Sequence, residues 1–384
     1  MSDSFARKVK NSRRIKALPS EWIVPQEEWD SYYHHFTLRV QTLSDYINVI
    51  SKLAEISNTP SFDRLVFRGH SDASSNYKLI PTIGRRDYID EFCENGMVTE
   101  MQTLRPEEFS GITSNFDLLS KLQHFGLPTR LLDFTYNPLI ALFFACCSEK
   151  KTDCRVICSY DTSSSFSTDL VETICGMYKY NDYNAISLDQ LIGGVSELRT
   201  YALLTKEPLM AKPKYSNDRI KHQSAVFMVF PNTVCDYRSR MVILGRRNGN
   251  EEDYRQGFTL TDEEYKRLEY VRKEPKLYDD SFAVSSNTMR KMFDYYGNQF
   301  EDFYNNQDFG INQKYHFLFT DRFSLLYSIQ KLSDEMISKS FISILVEEKS
   351  KKKILKDLAS LGIDKAFVFP ELEYTAEMVK NKYF

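Results

Sequence analysis

Apolar positions along this chain follow two periods, and the switches between them mark out its elements. From Thr42 to Ser57, LSDYINVISKLAEIS places apolar residues at helical spacing and predicts an amphipathic helix leading into the strand DRLVFRG. The turn-forming stretch SDASSNYKLIPTIGRR reads as a loop with a short strand. A second helix is expected from about Asn115 to Phe125. Leu118, Leu119, Leu122 and Phe125 form its apolar stripe, Ser114 is placed to cap its start, and Gly126 stands where a left-handed residue ends it. TRLLDF then reads as a strand, Asn137 as the next cap and Pro138 as a first helical residue. The following LIALFFACC is apolar on every side, so its helix must be buried. CRVICSY and HQSAVFMVFP (residues 222–231) predict two further strands. FISILVEE, a Lys-rich helix ending at Gly362, and KAFVFPELE predict a closing strand-helix-strand unit.

Between these blocks the pattern weakens. Residues 161–217 are polar and irregular, 245–280 read as a charged surface insertion, and 279–340 look mainly helical and aromatic. Residues 1–37 form a basic arm and lead-in, with Arg7, Lys8, Lys10, Arg13, Arg14 and Lys16 against Asp3 in the first twenty. The body, 38–384, is expected to be one domain with insertions at about 161–217 and 235–335.

A net charge of -3 makes no electrostatic case for nucleic acid over the chain as a whole, which confines that reading to the arm and local basic groups. No apolar run is long enough for a membrane span. The seven cysteines include no C-x-x-C pair, which argues against disulfides and zinc and fits a reducing cytoplasm. His34 and His35 lack metal-ligand spacing, so no metal is expected. Cys146 and Cys147 read as inert core thiols. The lysines from Lys349 to Lys353 open a helix against its dipole, so they are expected to face solvent or an anion.

Arg68, in VFRGH, ends a strand built for burial. It is either a solvated terminus or a five-donor fork aimed at phosphate or carboxylate in a cleft. Downstream lies LQHFGLPTRLLDFTYNPLIALFFA, then NDRIKHQSAVFMVFP with Arg219 and Gln223. Taken with VFRGH and IPTIGRR, these stretches resemble the FRG domain, a family named for its Phe-Arg-Gly triplet and associated with phage-defence and toxin genes. The likeness runs over about residues 40–380. The order of an Arg-Gly strand end, then a strand with a hydroxyl residue before x-N-P-x-x-A, is also similar to ADP-ribosyltransferases.

Those resemblances imply an α+β fold, a mixed split β-sheet with surrounding helices, ADP-ribosyltransferase-like, using NAD as substrate. They imply that Arg68 holds NAD phosphate or ribose, that Asp133 and Thr135 brace the pocket, and that Gln223 stands on its strand in the place of a glutamate. Gly69, His70, Arg85, His124, Thr129 and Arg130 complete the expected ligand-binding set. Two of these keep a structural alternative. His124 can serve its helix C-terminus as an imidazolium, and Arg130 can form a buried ion pair. The activity implied is that of a cytoplasmic toxin or antiphage-defence effector, modifying a protein or nucleic acid, with an antitoxin or defence partner as the expected associate. A non-catalytic nucleotide-sensing or protein-interaction module and a nucleic-acid-acting effector are the alternatives.

Overall fold

The computed structural model describes residues 5–28, 36–56, 65–74, 79–85, 94–161, 168–180, 208–215, 217–231, 234–235, 317–318, 329, 341–371 and 380. The surface insertion expected at 245–280, nearly all of the helical stretch at 279–340, and His34 and His35 lie outside these residues.

Two short helices, α1 (Phe5–Asn11) and α2 (Arg13–Lys16), precede strand β1 (Thr37–Val40) and helix α3 (Leu43–Ile56). The basic arm is therefore docked. Val9 and Ile15 are fully buried in the main core, and Arg14 Nη1 donates to the Glu55 carbonyl at 2.8 Å. Strand β2 (Leu65–His70) leads through a 3-10 turn at Thr82–Gly84 to α4 (Glu94–Leu104), α5 (Pro106–Phe109) and α6 (Asn115–His124). No strand occurs in the described part of the 71–85 loop.

Helix α6 has the expected ends. The Ser114 hydroxyl accepts from Asp117 N at 3.0 Å, Gly126 takes φ +87°, and Leu127 N reaches back to the Leu122 carbonyl at 3.0 Å. A cap of this kind is worth about 1 kcal/mol. Strand β3 (Leu131–Thr135) runs into α7 (Pro138–Cys146), where Asn137 Oδ1 accepts from Leu139 N at 2.9 Å. Six of the nine residues of α7 are buried. Cys146 is among them, but Cys147 just beyond is exposed and does not belong to the core.

Strand β4 (Cys154–Tyr160), α8 (Thr168–Gly176), β5 (Leu209–Ala211), α9 (Asp218–His222) and β6 (Ala225–Val229) follow. A separate two-residue pair joins β7 (Val234–Cys235) to β8 (Phe317–Leu318), and β9 (Ile342–Val346), α10 (Glu348–Ser360) and α11 (Lys365–Val368) end the described chain. The described part of KAFVFPELE, residues 365–371, is thus not a strand. Asp364 Oδ1 accepts from Phe367 N at 2.8 Å and starts a helical turn there, so the expected strand-helix-strand unit ends in a helix.

The protein is α+β, with a mixed seven-stranded sheet in the order β1-β9-β4-β2-β3-β6-β5. Among the described residues, only β1 and β9 pair in parallel. One face carries the larger core, in which α3, α7 and α10 pack on β1, β9, β4 and β2. The other carries Val66, Ile157, Leu132, Phe134, Val226 and Met228 under Leu79, Ile83 and Phe341. Gly69 lets α7 lie directly on β2, because a Cβ there would stand 2.1 Å from the Ala141 carbonyl oxygen. Lys351 is 4% exposed rather than solvent-facing. Its Nζ donates to the carbonyls of Thr152 (3.0 Å), Lys150 (3.1 Å) and Ser71 (3.4 Å), which supply the negative charge the helix start does not. Among the described residues, no helix is long and apolar enough to cross a membrane.

Candidate functional site

The sheet is weakest at its middle. β2 and β4 share six residue pairs, but β2 and β3 share one, Phe67 with Thr135. Beyond that pair a cleft of about 270 Å³ opens. Phe144 of α7 lines one side and Ser120, Gln123 and His124 of α6 the other, with Arg219, Ile220 and Gln223 closing the end.

Arg68 bridges the gap. Its Nη1 donates to the Asp133 carbonyl at 2.5 Å and lies 3.8 Å from Asp133 Oδ2. The Arg68 side chain is 12% exposed and that of Asp133 59%, so the carboxylate stands in the opening. Gln123 orients it: Nε2 donates to Asp133 Oδ2 at 3.2 Å and to the Leu131 carbonyl at 3.3 Å. The Gln123 amide is itself fixed by Thr129, whose hydroxyl donates to Oε1 at 2.7 Å. Thr129 is fully buried, so it reaches the cleft only through Gln123.

Gln223 is not on a strand. Asn217 caps α9, whose last turn ends at Gln223, and Ser224 adopts φ +46° before β6 begins. The Gln223 amide donates to the Val368 carbonyl at 3.1 Å, and its own carbonyl accepts the Thr135 hydroxyl at 2.5 Å. Thr135 thereby ties β3 to the turn that carries Gln223.

His124 lines the cleft, with its side chain 16% exposed. Burial and the nearby Arg219 lower its pKa, while Glu371, 3.8 Å from Nε2, pulls the other way. An imidazole biased toward neutrality does not suit the helix-dipole role, and the last carbonyls of α6 are met by Phe125, Gly126 and Leu127 N–H groups instead. Glu371 also pairs with Arg219 at 3.2 Å, and the Arg219 guanidinium lies 4.9 Å from the centre of the Phe369 ring. Arg219 and Glu371, 152 positions apart, were not in the expected set. The signal was present only as the Arg-x-x-x-Gln spacing of 219 and 223.

Four expected ligand residues do not line the cleft: the buried Thr129, and with it Arg130, His70 and Arg85. Arg130 is fully buried: Nη2 and Nε meet the Glu94 carboxylate at 2.6 and 3.1 Å, and Nη1 donates to the Ile174 carbonyl at 2.9 Å. That is the buried ion-pair alternative. His70 is fully buried opposite Arg155, and burial together with Arg68, Arg155 and Arg85 holds its pKa well below the usual imidazole value. Arg85 ends the 3-10 turn at Thr82–Gly84 as its C-cap residue and is not among the residues that line the cleft. The remaining residues converge: Arg68, Gly69, His124, Asp133, Thr135 and Gln223 share one cleft.

Fold and site define an α+β protein with a charged cleft where two central strands of a mixed sheet part. Residues 63–154 match the FRG domain model, so the chain carries an FRG domain from the threshold of β2 to the first residue of β4. This match contains Arg68, Asp133 and Thr135, while Arg219, Gln223 and Glu371 lie beyond it. No curated protein and no solved structure matches the chain.

Proposed function

We propose that the cleft binds NAD and transfers its ADP-ribose to a macromolecular acceptor, in an ADP-ribosyltransferase-like reaction. The observation that carries this reading is the convergence of Arg68, Asp133 and Gln223 at one opening. Arg68 presents a guanidinium suited to phosphate, and Arg219 adds a second cation at the cleft end. The Asp133 carboxylate is held by Gln123 and exposed, which suits it to stabilise positive charge developing on the ribose as nicotinamide leaves with the bonding electrons. His124, biased toward its neutral form, is suited to accept the proton of an incoming acceptor nucleophile. In this reading the chemistry belongs to an effector of toxin or antiphage-defence type acting in the cytoplasm, the setting that the sequence resemblance implies.

The direct test is incubation of the pure protein with labelled NAD and cell extract. Label transfer or nicotinamide release, lowered at least about a hundredfold by Asp133→Asn, is expected. Absence of transfer, nicotinamide release and NAD binding would refute the reading.

A second reading, nucleotide binding without turnover, is favoured by one observation. The Gln223 amide supplies no charge and is engaged by the Val368 carbonyl. Binding of NAD that survives Asp133→Ala and Gln223→Ala, with no product from the unaltered protein, would select it. The nucleic-acid reading loses two of its motivating groups, since Arg130 and Lys351 are buried and engaged within the fold.

A further inference from the structure

The cleft is smaller than most small-molecule sites, which run to about 300–1,000 Å³, and it is too small for a whole dinucleotide. A second cavity of about 460 Å³ adjoins it on the far side of α6, and Ser120 and His124 line both. Phe125, which also lines the second cavity, is 56% exposed, a large apolar ring left open to solvent immediately after the helix. Lys214 stands at the rim, 78% exposed and 2.6 Å from Asp117, and Thr113 adds a hydroxyl. At the junction, the Ser120 hydroxyl is buried, with Ser120 only 4% exposed, and has no hydrogen-bond partner among the described residues. A buried hydroxyl left in that state costs about 1–3 kcal/mol, which a ligand bond would recover.

Resting on the reading that the cleft takes the nicotinamide side of NAD, we infer that this second cavity is the subsite for the adenosine half, and that Ser120 bonds the ligand where the two cavities meet. The class of ligand follows from the lining. An exposed aromatic face suits a planar base, which stacks on such rings with useful affinity. Hydroxyl groups and a lysine at the rim suit a ribose and its phosphate. The ligand passes over His124, whose imidazole forms the shared wall.

Titration calorimetry with NAD, AMP and nicotinamide mononucleotide tests the assignment. Phe125→Ala, a surface change, is expected to weaken AMP and NAD about tenfold while nicotinamide mononucleotide shifts less than twofold. Ser120→Ala should weaken NAD by a similar factor and at the same time raise the melting temperature of the free protein, because it removes an unpaired buried polar atom. A merely structural Ser120 would not give that opposite pair of effects. NAD binding unchanged by Phe125→Ala and Ser120→Ala would overturn the subsite and leave the proposed function standing. AMP binding lost in Phe125→Ala, with no turnover of NAD by the unaltered protein, would support the subsite and remove the transferase. Failure of all three nucleotides to bind would overturn both.

Discussion

Replacing Glu94 by Gln isolates what Arg130 does. The substitution keeps the shape of the side chain but removes the charge that Nε and Nη2 of Arg130 share at 3.1 and 2.6 Å. Both side chains are 0% exposed, so neither water nor salt can replace the missing charge, and the Ile174 carbonyl, at 2.9 Å from Nη1, offers the guanidinium a neutral acceptor in place of a carboxylate. Breaking one side of a buried pair costs about 3–5 kcal/mol. That is a fifth or more of the stability of an ordinary domain of about 5–15 kcal/mol. With a urea dependence of about 3 kcal/mol per molar, the unfolding midpoint should fall by about 1 M or more. Replacing both partners, Glu94→Leu with Arg130→Met, should recover most of the loss, because no unpaired charge is left behind. Nucleotide affinity of folded Glu94→Gln protein in the cold should stay within about threefold of the original, since Arg130 is turned away from the cleft. A midpoint shift below about 0.3 M, or a tenfold loss of affinity at unchanged stability, would refute the structural role and return Arg130 to the ligand.

Gly69→Ala should destabilise by about 3 kcal/mol, because the new Cβ would meet the Ala141 carbonyl oxygen at 2.1 Å and Ala145 N at 2.6 Å; an unchanged melting temperature would contradict the close packing of α7 on β2. Lys351→Met, which removes the ammonium from three carbonyls, should cost about 2–3 kcal/mol in urea unfolding, whereas Lys352→Met on the exposed side of α10 should cost less than about 0.5 kcal/mol. His70 and His124 both have pKa values lowered in the folded protein, so the unfolded chain takes up protons first as pH falls through 6.5. Stability is therefore fully present above that pH and is lost toward the depressed folded values, by up to about 1.4 kcal/mol per pH unit for each group. Denaturation at pH 7.5 and 5.5 should show a smaller loss in His70→Asn than in the unaltered protein, and equal losses would refute the assignment.

What the sequence disclosed was mostly what neighbours in sequence decide. Ser114, Gly126, Asn137 and Pro138 act within four residues of the backbone groups they satisfy, and each stands where its local pattern predicts. The buried helix α7 was readable because apolar residues on all sides leave it no solvent face. The misreadings came from partners far along the chain. Arg130 with Glu94 spans 36 positions, and Lys351 bonds carbonyls about 200 and 280 positions earlier. The strand assignments for Gln223 and for residues 365–369 failed for a nearer reason. Asn217 and Asp364 are helix caps, and each starts a short turn within a run whose apolar residues alone suggested extension. Asp133 and Thr135 were legible as cleft residues, while Arg219 and Glu371 needed the fold to bring them together.

The position of β9 has a consequence for how the chain comes to be made. Six strands of the sheet precede β9 in sequence, yet β9 lies between β1 and β4. A polypeptide leaving the ribosome amino end first must therefore hold β1 and one edge of β4 open until residues 342–346 emerge. The wall of the cleft is later still, because Gln223 is anchored by Val368, and Arg219 lies against Phe369 and Glu371. Partly synthesised chains thus lack a finished site, and whatever chemistry the cleft performs becomes available only when translation has passed residue 371.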